Sequence, residues 1–247
     1  MKLSVQDLVR IGATGIQPCY APSFIEEPEL VASPASSALT IIRGQIDGQV
    51  RPYGTAYIDQ TLGAWVVNFR GTETASEWWR DLQALLVDCP FLAGARIHHG
   101  FALLYSTLEA GGSPLPVFLR TLSAAKDLPI IIAGHSLGAA LATLAAADLG
   151  CGANLVTFAS PRCGDDRFAE MAMSRLGGNY RIRNVRDLVT DVPLREPLFP
   201  YSHLGVAMEY DSGSQTVDNP HAWHSLETYL HLLDPAQPIL PEFLPAA

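Results

Sequence analysis

The sequence predicts an α/β fold, with a mostly parallel central sheet covered by helices on both faces. Two patterns carry this reading. In the middle of the chain, segments of strand character alternate with segments of helix character, the order that builds crossover connections and a parallel sheet. The run from Leu128 to Ala147, where only His135, Ser136 and Thr143 have polar side chains, changes character halfway. Ile130-Ile131-Ile132 is β-branched and reads as a buried strand, whereas Leu137 to Leu149 is rich in Ala and Leu and reads as a buried helix. A chain of 247 residues, 48% hydrophobic and 17% charged, can bury a large core without disulfides or metals. No linker divides it, so a single domain over 1–247 is expected.

The elements follow in order. Ser4 to Ile11 reads as a short helix in an otherwise poorly periodic first 50 residues, and Ala32 to Ala38 as a loop. Thr55–Ile58 and Ala64–Phe69 read as strands joined by the Asp59–Gly63 turn. A polar turn, Arg70 to Ser76, leads into Glu77–Val87, where Trp78, Leu82, Leu85 and Leu86 have amphipathic helical spacing. Phe101–Ser123 reads as helix broken at Gly111-Gly112-Ser113-Pro114. Beyond the central strand and helix come a strand at Leu155–Phe158, a helix at Asp165–Leu176, a strand at Tyr180–Val185 and a helix at His224–Leu233. Four prolines make residues 235–247 an irregular tail.

Composition excludes several classes. Sixteen basic against 25 acidic residues give a formal charge of −9, which argues against nucleic-acid binding. Cys19, Cys89, Cys151 and Cys163 form no C-x-x-C pair and are expected to be reduced structural thiols. The 128–147 run has the length of a membrane span, but Pro129, Gly134 and Gly138 interrupt it, so no transmembrane span is expected. The first residues, with Asp7 and Arg10 inside the apolar stretch, lack a signal-peptide core, which points to a cytoplasmic or non-classically secreted protein.

Gly134-His135-Ser136-Leu137-Gly138 matches G-x-S-x-G between a strand and a helix, the context a nucleophile elbow requires. Such a turn projects the Ser136 hydroxyl above the sheet at a helix N-terminus, which favours negative charge. A serine hydroxyl needs a base, and the base an orienting carboxylate. Hydrolases built on this elbow follow the order Ser, Asp or Glu, His. Asp187 and Asp191 follow a strand, and pattern favours Asp187, just past it; His203, His221, His224 and His231 are all candidate bases. No metal or organic cofactor is needed by such chemistry. The spacing of His98-His99 and of His221 and His224 lacks H-E-x-x-H.

Several ordered blocks resemble the class 3 lipases, the fungal-lipase-like α/β-hydrolases, over roughly residues 53–233. They are Asn68-Phe69-Arg70-Gly71-Thr72, Ile97-His98-His99-Gly100-Phe101, the nucleophile block Ile131 to Ala142, Phe158 to Asp165, Tyr201-Ser202-His203 and His224 to Leu230. The resemblance implies an α/β-hydrolase fold. It places Ser136 on the nucleophile, Asp187 on the acid and His224 on the base, with His221 the rival histidine and His203 supporting the acid loop. It implies an oxyanion hole of Leu137 and Thr72, with His98 near the acyl side. It also implies a lid over Glu73–Leu92, with Trp78, Trp79 and Leu82 contacting substrate. Ala139, Ala159 and Thr190 depart from the family's usual Gly, Gly and Pro.

The expected function is therefore a serine ester hydrolase acting on lipid or other ester substrates with transient lipid-interface contact, foremost a lipase cleaving acylglycerols. Phospholipase A1 and short-chain or feruloyl-type esterase share these residues. A non-catalytic binding protein that kept the fold is the alternative from another class.

Overall fold

The computed structural model describes residues 1–28, 39–72, 85–125 and 128–245. The expected loop at Ala32–Ala38 and residues 73–84, with Trp78, Trp79 and Leu82, lie outside them. The strands in chain order are β1 Thr40–Ile46, β2 Gln49–Asp59, β3 Ala64–Phe69, β4 Leu86–Asp88, β5 Arg96–His98, β6 Glu109–Ala110, β7 Ser113–Pro114, β8 Ile130–His135, β9 Asn154–Phe158, β10 Gly164–Asp165, β11 Gly178–Asn184, β12 Tyr201–Ser202 and β13 Ala207–Tyr210. The α-helices are α1 Val5–Arg10, α2 Pro22–Glu26, α3 His99–Ser106, α4 Leu115–Ala125, α5 Leu137–Leu149, α6 Asp166–Met173, α7 Pro220–His224 and α8 Leu226–Leu233.

The main sheet runs β13-β11-β9-β8-β3-β2-β1-β6-β7. It is parallel from β13 to β3 and antiparallel beyond. A small sheet, β12-β10-β5-β4, lies beside it. The two-residue side-chain period of a strand sorts the core into two halves. Ile130, Ile132, Val67, Phe69 and Leu155 pack in one apolar cluster with α3, α4 and α5. Ile131, Ala133, Val66, Val156 and Phe158 pack in the other with α1, Ile16 and α8. Every residue of β8 is buried, as its unbroken apolar run requires. The 128–147 run is thus a buried strand and helix, and no helix among the described residues is long and apolar enough to cross a membrane.

Several elements differ from the expectation. The N-terminal segment is one continuous helical stretch whose pitch changes, α over Val5–Arg10, π over Ile11–Ile16 and 3-10 over Gln17–Tyr20. No single period survives such changes, which is why its sequence looks aperiodic. Strand β2 extends well before Thr55, through Pro52 at a register shift opposite Ile42 and Arg43, where proline is tolerated. Its partner β1 had no clear alternation. The Phe101–Ser123 helix is two helices, α3 and α4, separated by the β6–β7 hairpin, because β6 pairs with β1.

The expected lid over Glu73–Leu92 needs correction at its C-terminal end. Leu86–Asp88 pairs antiparallel with Arg96–His98, and Leu92 is 1% exposed in the core, so residues 86–92 are not helical. The expected His224–Leu233 helix breaks at Ser225, which is extended (φ −64°, ψ 141°) and caps α8 through Thr228 N. The tail contains a 3-10 turn at Pro241–Phe243.

At the β8–α5 junction, two glycines are required by close approach. A Cβ on Gly134 would lie 2.1 Å from the Gly138 carbonyl oxygen, and one on Gly138 2.3 Å from that of Phe69. These neighbours are backbone and cannot rotate away. We expect Gly138→Ala to cost about 3 kcal/mol, read as a lowered denaturation midpoint, whereas Gly63→Ala, which meets open space but a φ of +58°, is expected to cost only the backbone strain of about 1 kcal/mol.

Candidate active site

Ser136 sits between β8 and α5 with φ +59° and ψ −126°, a conformation that L residues rarely adopt. Its N–H donates to the Phe158 carbonyl at 3.0 Å, tying the turn to β9. Its own carbonyl accepts from Ala139 and Ala140, which starts α5. Ala159, after Phe158, also has positive φ (+53°), where glycine is at ease; an alanine there carries about 1 kcal/mol of strain.

The structure brings three of the expected residues together. Ser136 Oγ lies 2.8 Å from His224 Nε2, and His224 Nδ1 lies 2.8 Å from Asp187 Oδ2. Tautomer and direction follow from chemistry. A carboxylate only accepts, so Nδ1 carries the proton and Nε2 is the open acceptor for the Ser136 hydroxyl. Ser136 is 0% and Asp187 2% exposed. Among the other candidate histidines, His221 is exposed, His231 donates to the Gln237 carbonyl at 2.7 Å, and His203 donates to the Thr190 carbonyl at 2.8 Å.

Asp187 is held from all sides. Its Oδ1 accepts from Val189 N at 3.0 Å, and its Oδ2 accepts from the Tyr229 hydroxyl at 2.8 Å as well as from His224. Tyr229 in turn accepts from Asn184 N. Burial and the neighbouring Asp187 carboxylate push the phenol of Tyr229 far up, so it stays a donor. In the sequence Tyr229 stands only within the His224–Leu230 block; its place on α8, five residues past His224, is the signal that points to it.

Thr190, where the family usually has proline, is put to polar use. Its hydroxyl donates to the Asp187 carbonyl at 2.7 Å and accepts from Arg183 Nε at 3.0 Å. Arg183 also pairs with both carboxylate oxygens of Asp191 at 3.0 Å, and Arg162 donates to the Asp191 and Pro193 carbonyls. Asp191, the other candidate acid, is thereby committed to a clamp on the loop.

Of the expected oxyanion residues, Leu137 opens α5, where helix amides lack intrahelical partners. Thr72 follows Gly71, and its buried Oγ1 has no hydrogen-bond partner among the described residues. A Cβ on Gly71 would lie 2.8 Å from both Ser136 Cβ and the Tyr20 hydroxyl, so this loop passes directly against the serine. His98, expected near the acyl side, is a buried residue. It is 1% exposed, its Nδ1 caps α3 by accepting from Phe101 N, and its ring packs between Phe101 and Tyr201. Two residues that the sequence did not single out, Tyr20 and His135, reach the site as well. Tyr20 lies in the segment without periodicity, and His135 occupies the variable place of the G-x-S-x-G motif.

The family described as Lipase (class 3) matches residues 66–196. The chain is 31% identical over 202 residues to Phospholipase A1-II 6 of Oryza sativa subsp. japonica, covering 67% of this chain and 49% of the relative. It is 32% identical over 182 residues to secreted mono- and diacylglycerol lipase 1 of Fusarium solani, covering 70% and 52%. The crystal structure of mono- and diacylglycerol lipase from Aspergillus oryzae matches with a TM-score of 0.61 at 25% identity, covering 84% and 80%. The chain spans about half the length of the curated relatives it matches.

The acid-loop clamp has a pH signature. Burial, with Arg181 nearby, pushes His203 down to about 3. The unfolded chain protonates this histidine near pH 6.5, the folded chain only near pH 3. Between those values the unfolded state binds more protons, so the His203 contribution is full above pH 6.5 and is lost as pH falls. Chemical denaturation from pH 7 to 4 is expected to show a smaller loss of stability in His203→Gln than in wild type.

Proposed function

The chain belongs to the class 3 lipase family, and from that premise we propose that it is a serine ester hydrolase with Ser136 as nucleophile. The observation that carries this reading is the pair of 2.8 Å contacts from Ser136 to His224 and from His224 to Asp187. His224 Nε2 takes the Ser136 proton as Oγ attacks the ester carbonyl. Asp187 holds the tautomer and stabilises the imidazolium. The Leu137 and Thr72 N–H groups receive the developing oxyanion. His224 then returns the proton to the leaving alcohol, and water, deprotonated by the same histidine, releases the acid.

Acylglycerols are the favoured substrate class, with phospholipids next; relatives named for each support both. Trp78, Trp79 and Leu82 are assigned to substrate contact. Contact with a lipid surface is supported by the loop after Asp187, where Leu188, Leu194 and Leu198 are 64%, 65% and 79% exposed.

Ser136→Ala is expected to lower kcat on a soluble four-carbon ester by about 10⁴–10⁶, and a fluorophosphonate is expected to label wild type at Ser136. A chain that takes no label and hydrolyses no ester is a binding protein that kept the fold. Wild type is expected to cleave emulsified triacylglycerol faster above its solubility limit; faster cleavage of phospholipid vesicles supports the phospholipase reading, and cleavage of the short ester alone an esterase. Replacing Leu188, Leu194 and Leu198 by Ser should lower the rate on emulsion several-fold and leave the soluble ester rate unchanged.

A further inference from the structure

Tyr20 ends the N-terminal helical stretch, and its hydroxyl lies 2.6 Å from Gly71 N and 2.6 Å from His135 Nδ1. His135 Nε2 lies 2.8 Å from the backbone carbonyl of His224. The direction of every bond is forced by its two ends. Gly71 N–H can only donate, so the phenol oxygen accepts from it and gives its own proton to Nδ1. The His224 carbonyl can only accept, so His135 carries its single proton on Nε2. The relay thus runs one way, from Gly71 N–H through the Tyr20 O–H to His135 and on to the His224 carbonyl.

Its ends matter. Arg70 Nε donates to the Pro52 carbonyl, and Arg70 Nη1 donates at 3.1 Å to the Gly71 carbonyl. That carbonyl shares a planar peptide with Thr72 N–H, and the two groups of one trans peptide point in opposite directions. Fixing Gly71 at its N–H by Tyr20 and at its C=O by Arg70 therefore aims Thr72 N–H. At the other end, the relay holds the backbone of the histidine that faces Ser136. His135 itself adjoins Ser136 in sequence. The geometry points to Tyr20 and His135 as positioning residues that hold the oxyanion loop and the His224 backbone in one register around Ser136. The positioning role rests on the ester-hydrolase reading; the direction of the relay does not.

The titratable neighbours agree with this direction. Arg70, Cys19 and Glu227 face Tyr20, and His224 and Tyr229 face His135. Burial pushes Tyr20 well above its usual range and His135 well below its own, so the phenol keeps its proton and the imidazole stays neutral.

Two measurements test this. Ring-nitrogen NMR of the full chain labelled with ¹⁵N-histidine is expected to show His135 as one neutral tautomer protonated at Nε2, unchanged between pH 8 and pH 5.5. A proton on Nδ1, or titration in that range, overturns the relay, and this result needs no variant. On the soluble four-carbon ester, Tyr20→Phe is expected to lower kcat about 10- to 100-fold with KM within about twofold, in a chain whose circular dichroism matches wild type. Tyr20→Phe combined with His135→Asn should be no worse than the more damaged single variant, because both cut one path. A Tyr20→Phe kcat within twofold of wild type, or losses that add, overturns the positioning role. Wild type without esterase activity defeats the functional reading instead, and the NMR result then decides the relay alone.

Discussion

The junction between β8 and α5 is the constraint on which the rest depends. A fully buried strand must turn at once into a helix buried from Leu137 to Ala147 while a serine points out of the turn. The turn closes only because neither Gly134 nor Gly138 carries a Cβ, which would sit 2.1 Å and 2.3 Å from a backbone carbonyl oxygen. The cost appears at Ser136, whose positive φ stores strain that the surrounding sheet and helix overdetermine. β9 contributes by accepting the Ser136 N–H, and β3 by running the Arg70–Thr72 loop past the serine. The hydroxyl is thereby delivered to the N-terminus of α5 at the carboxyl ends of the parallel strands, where open α/β sheets place their chemistry.

Around this fixed point the other groups are supplied by loops, and the Asp187 and His224 loops are tied down by polar contacts. The Asp187 turn is clamped by Arg183, Arg162, His203 and the Thr190 hydroxyl. His224 stands at the end of α7, where Asn184 holds the neighbouring Trp223 carbonyl. Inside the low-dielectric interior such bonds are stronger than in water, and leaving one partner unpaired is expensive. The buried side chains around Asp187 therefore leave little freedom in the distance from Asp187 to His224.

The legible part of the fold was the part with strong local signals. β3, β8, α5 and β9 were read within a few residues because their burial forces continuous or alternating apolar runs. β1, and β2 before Thr55, were not, because an edge pair with a bulge and a proline carries no clean alternation. The α3–hairpin–α4 segment reads as one broken helix, since Glu109–Ala110 becomes strand only by pairing with β1 and Ser113–Pro114 only by pairing with it in turn. The N-terminal stretch hid its role behind changes of helical pitch.

For the site, the sequence by itself determined the elbow, the serine it presents and a short menu of candidate acids and bases. These are local matters, because glycines at set positions and a strand–helix switch are written in adjacent residues. Resemblance to a family narrowed the menu to Asp187 and His224. Only the tertiary structure decided that these two reach Ser136 while Asp191 and His203 serve a clamp, that His98 is a helix cap, and that Tyr229, Tyr20 and His135 join the network. Those assignments link residues from 20 to 229, and hydrogen bonding is a matter of about 3 Å in space. No spacing along the chain encodes such a distance until the sheet has closed and brought its loops to one edge.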